Sequence, residues 1–153
     1  MRNENTLTPP STVAWLGYGG ALPFLLLATA TLLDDAHARN WLEALYEYGA
    51  VILSFVGALH WGIAMSLHGM TERQRSASFL WSVIPALMGW IALLVSPALA
   101  APILVLGFVL HYGMDLRLAR QAVLPCWYLT LRLRLSCTAS FCLLGTALAA
   151  SRG

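Results

Sequence analysis

Lysine is absent from this sequence, and all nine basic residues are arginines. Charge of either sign is scarce: seven acidic residues stand against those nine, and charged residues make up 10% of the 153. A soluble domain carries about 25%. A soluble fold so poor in charge would leave large apolar patches in water. The net charge of +2 is too small to imply an anionic partner, and the pattern excludes an ordinary nucleic-acid binder. Cysteine is scarce as well. Cys126, Cys137 and Cys142 are odd in number and form no C-x-x-C pair, so neither a disulfide framework nor a metal site is supported. Cys137 and Cys142 stand about 140° apart around a helix and read as small apolar fillers. Catalytic signatures are missing too: there is no G-x-G-x-x-G, P-loop, H-E-x-x-H or G-x-S-x-G. No acidic pair lies deep inside an apolar segment, Glu43 and Glu47 standing at the edge of one, and no Ser/His/Asp set can be aligned. No enzymatic activity is expected.

What the chain has is hydrophobicity: 59% of its residues are apolar, and the mean hydropathy is +0.70. A spanning helix needs about 20 residues, so five use roughly 100 and leave about 50 for ends and loops. The expectation is an all-α integral membrane bundle of five transmembrane helices, forming one domain over residues 1–153. The spans are read over residues 13–33, 42–68, 77–95, 103–116 and 127–150. They follow a short polar tail, residues 1–12, in which Pro9 and Pro10 break any helix. Between the spans lie a polar loop (34–40), a basic turn (71–76), a tight apolar turn bounded by prolines (96–102) and a basic connection (117–125) that can lie on the membrane surface. The fourth span is short; it either borrows residues 98–101 or sits in a thinned bilayer. Ala36-His37-Ala38 has the form of a signal cleavage site, but the long apolar run and the balanced tail predict an uncleaved anchor.

The arginines are asymmetric. Arg2, Arg73, Arg75, Arg117 and Arg120 fall on the side of the N-terminus, with Arg132 and Arg134 close to it; the other side holds only Arg39 and Arg152. By the positive-inside rule the N-terminus is cytoplasmic and the C-terminus is on the opposite side.

Polar residues inside the spans carry whatever function there is. On the second helix one face collects Tyr46, Gly49, Ala50, Leu53, Gly57, His60, Trp61, Ala64 and His68, and suits a helix–helix interface; the other, with Ile52, Phe55, Val56, Leu59, Ile63 and Leu67, suits lipid. His60 is either a neutral histidine bonded to a neighbouring helix, a proton- or substrate-handling group, or a ligand. His111 on the fourth helix shares its depth, and an axial His60/His111 pair for haem b is the cofactor alternative to an expectation of none. His37 and His68 read as solvated. Asp115 at a helix C-terminus opposes the dipole and needs a cation, most simply Arg132. Arg132 and Arg134 are about 200° apart around their helix, so one can turn inward. Trp127 and Tyr128 suit the headgroup belt, and Arg132 can also take an anionic headgroup. Pro23 and Pro85 are expected to bend the first and third helices. Trp61, Trp90 and Tyr46 are candidates for lining a quinone pocket.

Several segments resemble the transmembrane protein 69 family, also called domain of unknown function 3429. Leu16-Gly17 through Gly20-Ala21-Leu22-Pro23-Phe24 is similar to its opening, and Tyr48 through Gly62 (YGAVILSFVGALHWG) to its central motif. Ser82-Val83-Ile84-Pro85-Ala86-Leu87 with Trp90 resembles its third-helix motif, and Trp127-Tyr128-Leu129 with Leu131-Arg132 and Leu135 its last. The resemblance covers residues 15–140 and implies a multi-span protein of bacterial inner membranes or mitochondria, with no established activity. The leading expectation is a non-enzymatic accessory or assembly factor. It would pack against a larger inner-membrane complex or a second copy of itself, in a bacterial inner membrane. The alternatives are a small proton-coupled carrier with His60 in the pathway, and a haem- or quinone-binding redox protein. The expected partner is the lipid bilayer, with no nucleic acid.

Overall fold

The computed structural model describes residues 8–66, 69–121 and 124–150. It consists of α1 (Ser11–Leu33), α2 (Ala38–Ser66), α3 (Glu72–Leu94), α4 (Pro97–Gln121) and α5 (Cys126–Ala150), with no strand among the described residues. All five are long and apolar enough to cross a membrane. Most of the predicted polar tail, and the predicted end of the second helix at His68, lie outside the described residues.

Three helix limits differ from the sequence reading by five residues or more, and α2 starts at Ala38, four residues before the expected 42. The basic turn at 71–76 is mostly helix: Thr71 caps α3 by accepting from the Gln74 backbone N–H, while Gln74 Oε1 accepts from the Thr71 backbone N–H. This capping box satisfies two donors that a helix start leaves open. The apolar turn at 96–102 shrinks to Val95 and Ser96, because Pro97 is tolerated as the first helical residue, where no N–H is needed. The basic connection at 117–120 is the last turn of α4 rather than a separate surface helix. So the fourth span, expected to be short, has the length of its neighbours. Pro23, Pro85 and Pro102 all sit inside helices, where neighbouring helices make an interior proline tolerable.

Thr71→Ala removes the cap and is expected to cost about 1 kcal/mol. Thermal melting in detergent checks this; a melting point equal to that of the unaltered protein would count against the capping box.

Lipid is as apolar as leucine, so close packing must hold these helices together. The helices form a closed ring in which α5 returns to touch α1, and α2 packs against all four others. At the α2–α3 crossing, a Cβ on Gly57 would stand 2.9 Å from the Ser82 carbonyl oxygen and 3.0 Å from the Pro85 ring. A Cβ on Gly89 would stand 3.0 Å from the Ala50 carbonyl oxygen. The two backbones therefore meet through missing side chains. The Tyr48 hydroxyl ties α2 to α1 by donating to the Gly20 carbonyl at 2.8 Å.

Because α2 has four neighbours, its buried surface is wider than one stripe. Val56, read as lipid-facing, is buried, and Trp61, read as interfacial between helices, is 48% exposed beside Phe79. At the end where α2 and α4 begin, Leu42, Leu45, Ala100, Leu104 and Leu143 form a solid apolar core. The α1–α2 loop at that end is polar: Asp34 accepts from the Trp41 indole at 3.0 Å and meets His37 at 3.0 Å. The indole N–H, with help from His37, holds the Asp34 carboxyl below its ordinary pKa.

Candidate functional site

Alternating spans bring the C-terminal ends of α2 and α4 beside the N-terminal ends of α3 and α5. His60 lies six residues before the end of α2, Asp115 six before the end of α4, and Arg132 six after the start of α5. At 1.5 Å per residue each is about 9 Å inside its helix. Their common depth makes them a cluster.

Asp115 is its hub and is fully buried. The Arg132 Nε–H donates to Asp115 Oδ2 at 2.9 Å, and the Tyr128 hydroxyl donates to Oδ1 at 3.1 Å. Arg132 is 6% exposed. A lone carboxylate in this position would face a large desolvation penalty and an opposing helix dipole, and the guanidinium offsets both. The choice left open between two arginines is made here: Arg134 points outward, where it donates to the Tyr18 hydroxyl at 3.1 Å.

The two buried histidines meet edge to face, with centroids 4.7 Å apart. Their Nε2 atoms each stand 3.8 Å from Asp115 Oδ1, beyond hydrogen-bond length. The Trp81 indole N–H donates to His111 Nδ1 at 3.2 Å. A neutral His111 therefore carries its proton on Nε2, on the side of Asp115. Both ring nitrogens of His60, and Nε2 of His111, find no hydrogen-bond partner of ordinary geometry.

Ligand atoms of His60, His111 and Asp115 lie within 4.8 Å of one another, a spacing that a divalent metal can contract. The surroundings fit such an ion poorly. Arg132 already neutralises Asp115. Trp81 directs the proton of His111 onto the nitrogen that would have to coordinate.

Two cavities border the cluster. A cleft of about 420 Å³ at the end of α2, α3 and α4 is lined by His60, Ser78, Met114 and the two exposed arginines Arg73 and Arg117. A groove of about 510 Å³ between α1, α2, α4 and α5 is almost wholly apolar and includes Trp127, Tyr128, Arg132 and Ser136.

The structure thus unites His60, His111, Asp115, Tyr128 and Arg132, and puts Trp127 on the wall of the groove. It does not unite the trio read as a quinone pocket. Tyr46 is in the apolar core, Trp61 and Trp90 are 48% and 60% exposed, and none of the three lines either cavity. Ser82 spends its hydroxyl on the Phe79 carbonyl of its own helix at 2.7 Å. Of the cysteines, Cys142 is buried and Cys126 and Cys137 are exposed, and all three are free thiols. Trp81, Ser136 and the Arg73–Arg117 mouth were not singled out from sequence. Only the spacing of four between His111 and Asp115, which stacks them on one helix face, was available as a signal.

Among known proteins, transmembrane protein 69 of Xenopus tropicalis is 32% identical over 149 residues. The match covers 93% of this chain and 56% of that protein, so the chain spans little more than half the length of this relative. No solved structure matches. Residues 9–148 match the family described as "Protein of unknown function (DUF3429)". The family match and the five apolar helices agree, and this chain belongs to the DUF3429 family of multi-pass membrane proteins, alongside transmembrane protein 69.

Proposed function

We propose that this chain is a small proton-coupled carrier of an anion, with His60 as the group that takes up and releases the proton. One observation carries this reading: His60 is 1% exposed, yet it lines the basic cleft on one side and stands 3.8 Å from Asp115 on the other, with neither ring nitrogen in a hydrogen bond of ordinary geometry. An ionisable group at that depth is costly unless it is used. An anion entering between Arg73 and Arg117 is drawn in by their charge. Protonation of His60 then compensates that anion in a low dielectric. Asp115 and His111 face His60 from α4, and Arg132 and Tyr128 face the same carboxylate from α5.

A proton that binds inside the membrane field moves charge even without cargo. A pH jump applied to proteoliposomes on a solid-supported membrane is therefore expected to give a transient current, reduced by His60→Gln to that of empty liposomes. A His60→Gln current equal to the wild-type one would overturn the reading.

The accessory role has different support: the described residues form a bundle with short loops, so a partner of these residues would bind within lipid or at those loops. Blue-native electrophoresis in a mild detergent separates the two, a stoichiometric larger complex favouring the accessory role. A bacterial inner membrane is one of the two settings that the family resemblance implies, mitochondria being the other, and we propose it here; the arginine asymmetry supports an orientation with the N-terminus, the cleft and its two arginines cytoplasmic.

A further inference from the structure

The groove on the other side of the cluster has its own chemistry. It runs beside α1 from Val13 to Phe24, and its lining is apolar except near Arg132 and Ser136. Arg132 Nη2 and Ser136 Oγ make no hydrogen bond of ordinary geometry; both are shut off from water, so a small turn of each side chain toward the groove is needed before a ligand reaches them. Arg132 is 6% and Ser136 8% exposed, one helical turn apart on α5. Two under-bonded donors one helical turn apart in a membrane protein cost free energy until an acceptor reaches them.

We infer that this groove is a binding site for a membrane quinone: a flat, uncharged ring with carbonyl acceptors on an apolar tail. The charge balance selects the class. Asp115 already neutralises Arg132, so a fatty carboxylate or phospholipid phosphate would bring an uncompensated negative charge beside that carboxylate. A neutral carbonyl oxygen takes the free N–H and O–H without adding charge. The volume of about 510 Å³ falls in the range of small-molecule sites. Phe24, Phe108 and Trp127 give the groove aromatic walls against which a flat ring packs. This site stands apart from the carrier reading, since neither His60 nor the basic cleft takes part in it.

The test is binding of decylubiquinone to the full-length protein in phosphatidylcholine nanodiscs, followed by quenching of tryptophan fluorescence. Saturable quenching is expected in the wild type. Ala21→Phe fills the groove from the half-buried wall of α1 and is expected to abolish saturation. Ser136→Ala keeps the packing, removes one donor and is expected to weaken binding about fivefold. Trp127→Phe assigns the part of the signal that arises in the groove. Unsaturable quenching, or quenching unchanged in Ala21→Phe, would mean that the quinone stays in bulk lipid and would overturn the site. Equal displacement by palmitate, with Ser136→Ala binding like wild type, would mean a generic acyl slot and overturns it as well. If Ala21→Phe fails to assemble, the Ser136→Ala ratio decides alone. The readout involves no pH jump, so the two proposals fail separately.

Discussion

Asp115→Asn is expected to cost the fold about 3–5 kcal/mol, the usual penalty for leaving one member of a buried ion pair uncompensated. Asparagine keeps the size but only one of the two acceptor oxygens that serve Tyr128 and Arg132, so the loss reports the charge and one hydrogen bond rather than a cavity. At about 2–4 °C per kcal/mol for a chain of this size, melting in detergent falls by roughly 10 °C. The reason lies in the order of burial: Arg132 is 6% exposed and has no second carboxylate among its described contacts. Replacing both partners, as in Asp115→Leu with Arg132→Leu, removes the pair and the desolvation cost together and is expected to recover most of the loss. A single variant that melts with the wild type would show that the pair contributes little. A double variant no better than the single would show that other contacts of the two side chains matter more.

Gly57→Ala is the second large effect. The added Cβ would stand 2.9 Å from a backbone oxygen of α3 and 3.0 Å from the Pro85 ring, neither of which can swing aside. The α2–α3 pair must separate, at about 1–3 kcal/mol. Gly62, five residues on in the same helix, has nothing within 4 Å of the corresponding position. Gly62→Ala therefore meets no clash and gains up to about 1 kcal/mol of helix propensity. Opposite signs for one chemical change on one helix are the expected pattern. Equal melting shifts for the two variants would refute the close crossing.

The number of spans and their places followed from hydropathy, since only a helix can carry an isolated apolar run of this length through lipid. Two of the misread limits lie at a proline and a cap: Pro97 begins a helix where it was read as part of a turn, and Thr71 hides a helix start inside a basic stretch. Of the site, His60, Asp115, Tyr128 and Arg132 stood out because polar groups are conspicuous in an apolar run. Which groups meet was not legible. Whether His60 touches His111 depends on the rotation of α2 against α4, where Gly107 on α4 takes the Leu53 side chain of α2, a contact between residues far apart in sequence. Trp81 looked like any membrane tryptophan until its N–H was seen on His111. Trp61 and Trp90 misled for the opposite reason, because aromatic residues face lipid as readily as they line a pocket.

The closed ring has a consequence for biosynthesis. Asp115 is on the fourth helix and its arginine is on the fifth. During synthesis the carboxylate emerges from the ribosome before its counterion exists. A lone acidic residue deep in a span costs about 2.5–3.5 kcal/mol on insertion scales, so α4 gains by waiting at the insertion machinery until α5 can enter with it as a hairpin. The same α5 also supplies the second neighbour of α1. The first helix to be made is thus among the last to be enclosed, and a nascent chain halted before α5 would present quality-control proteases with both an unpaired carboxylate and an open bundle.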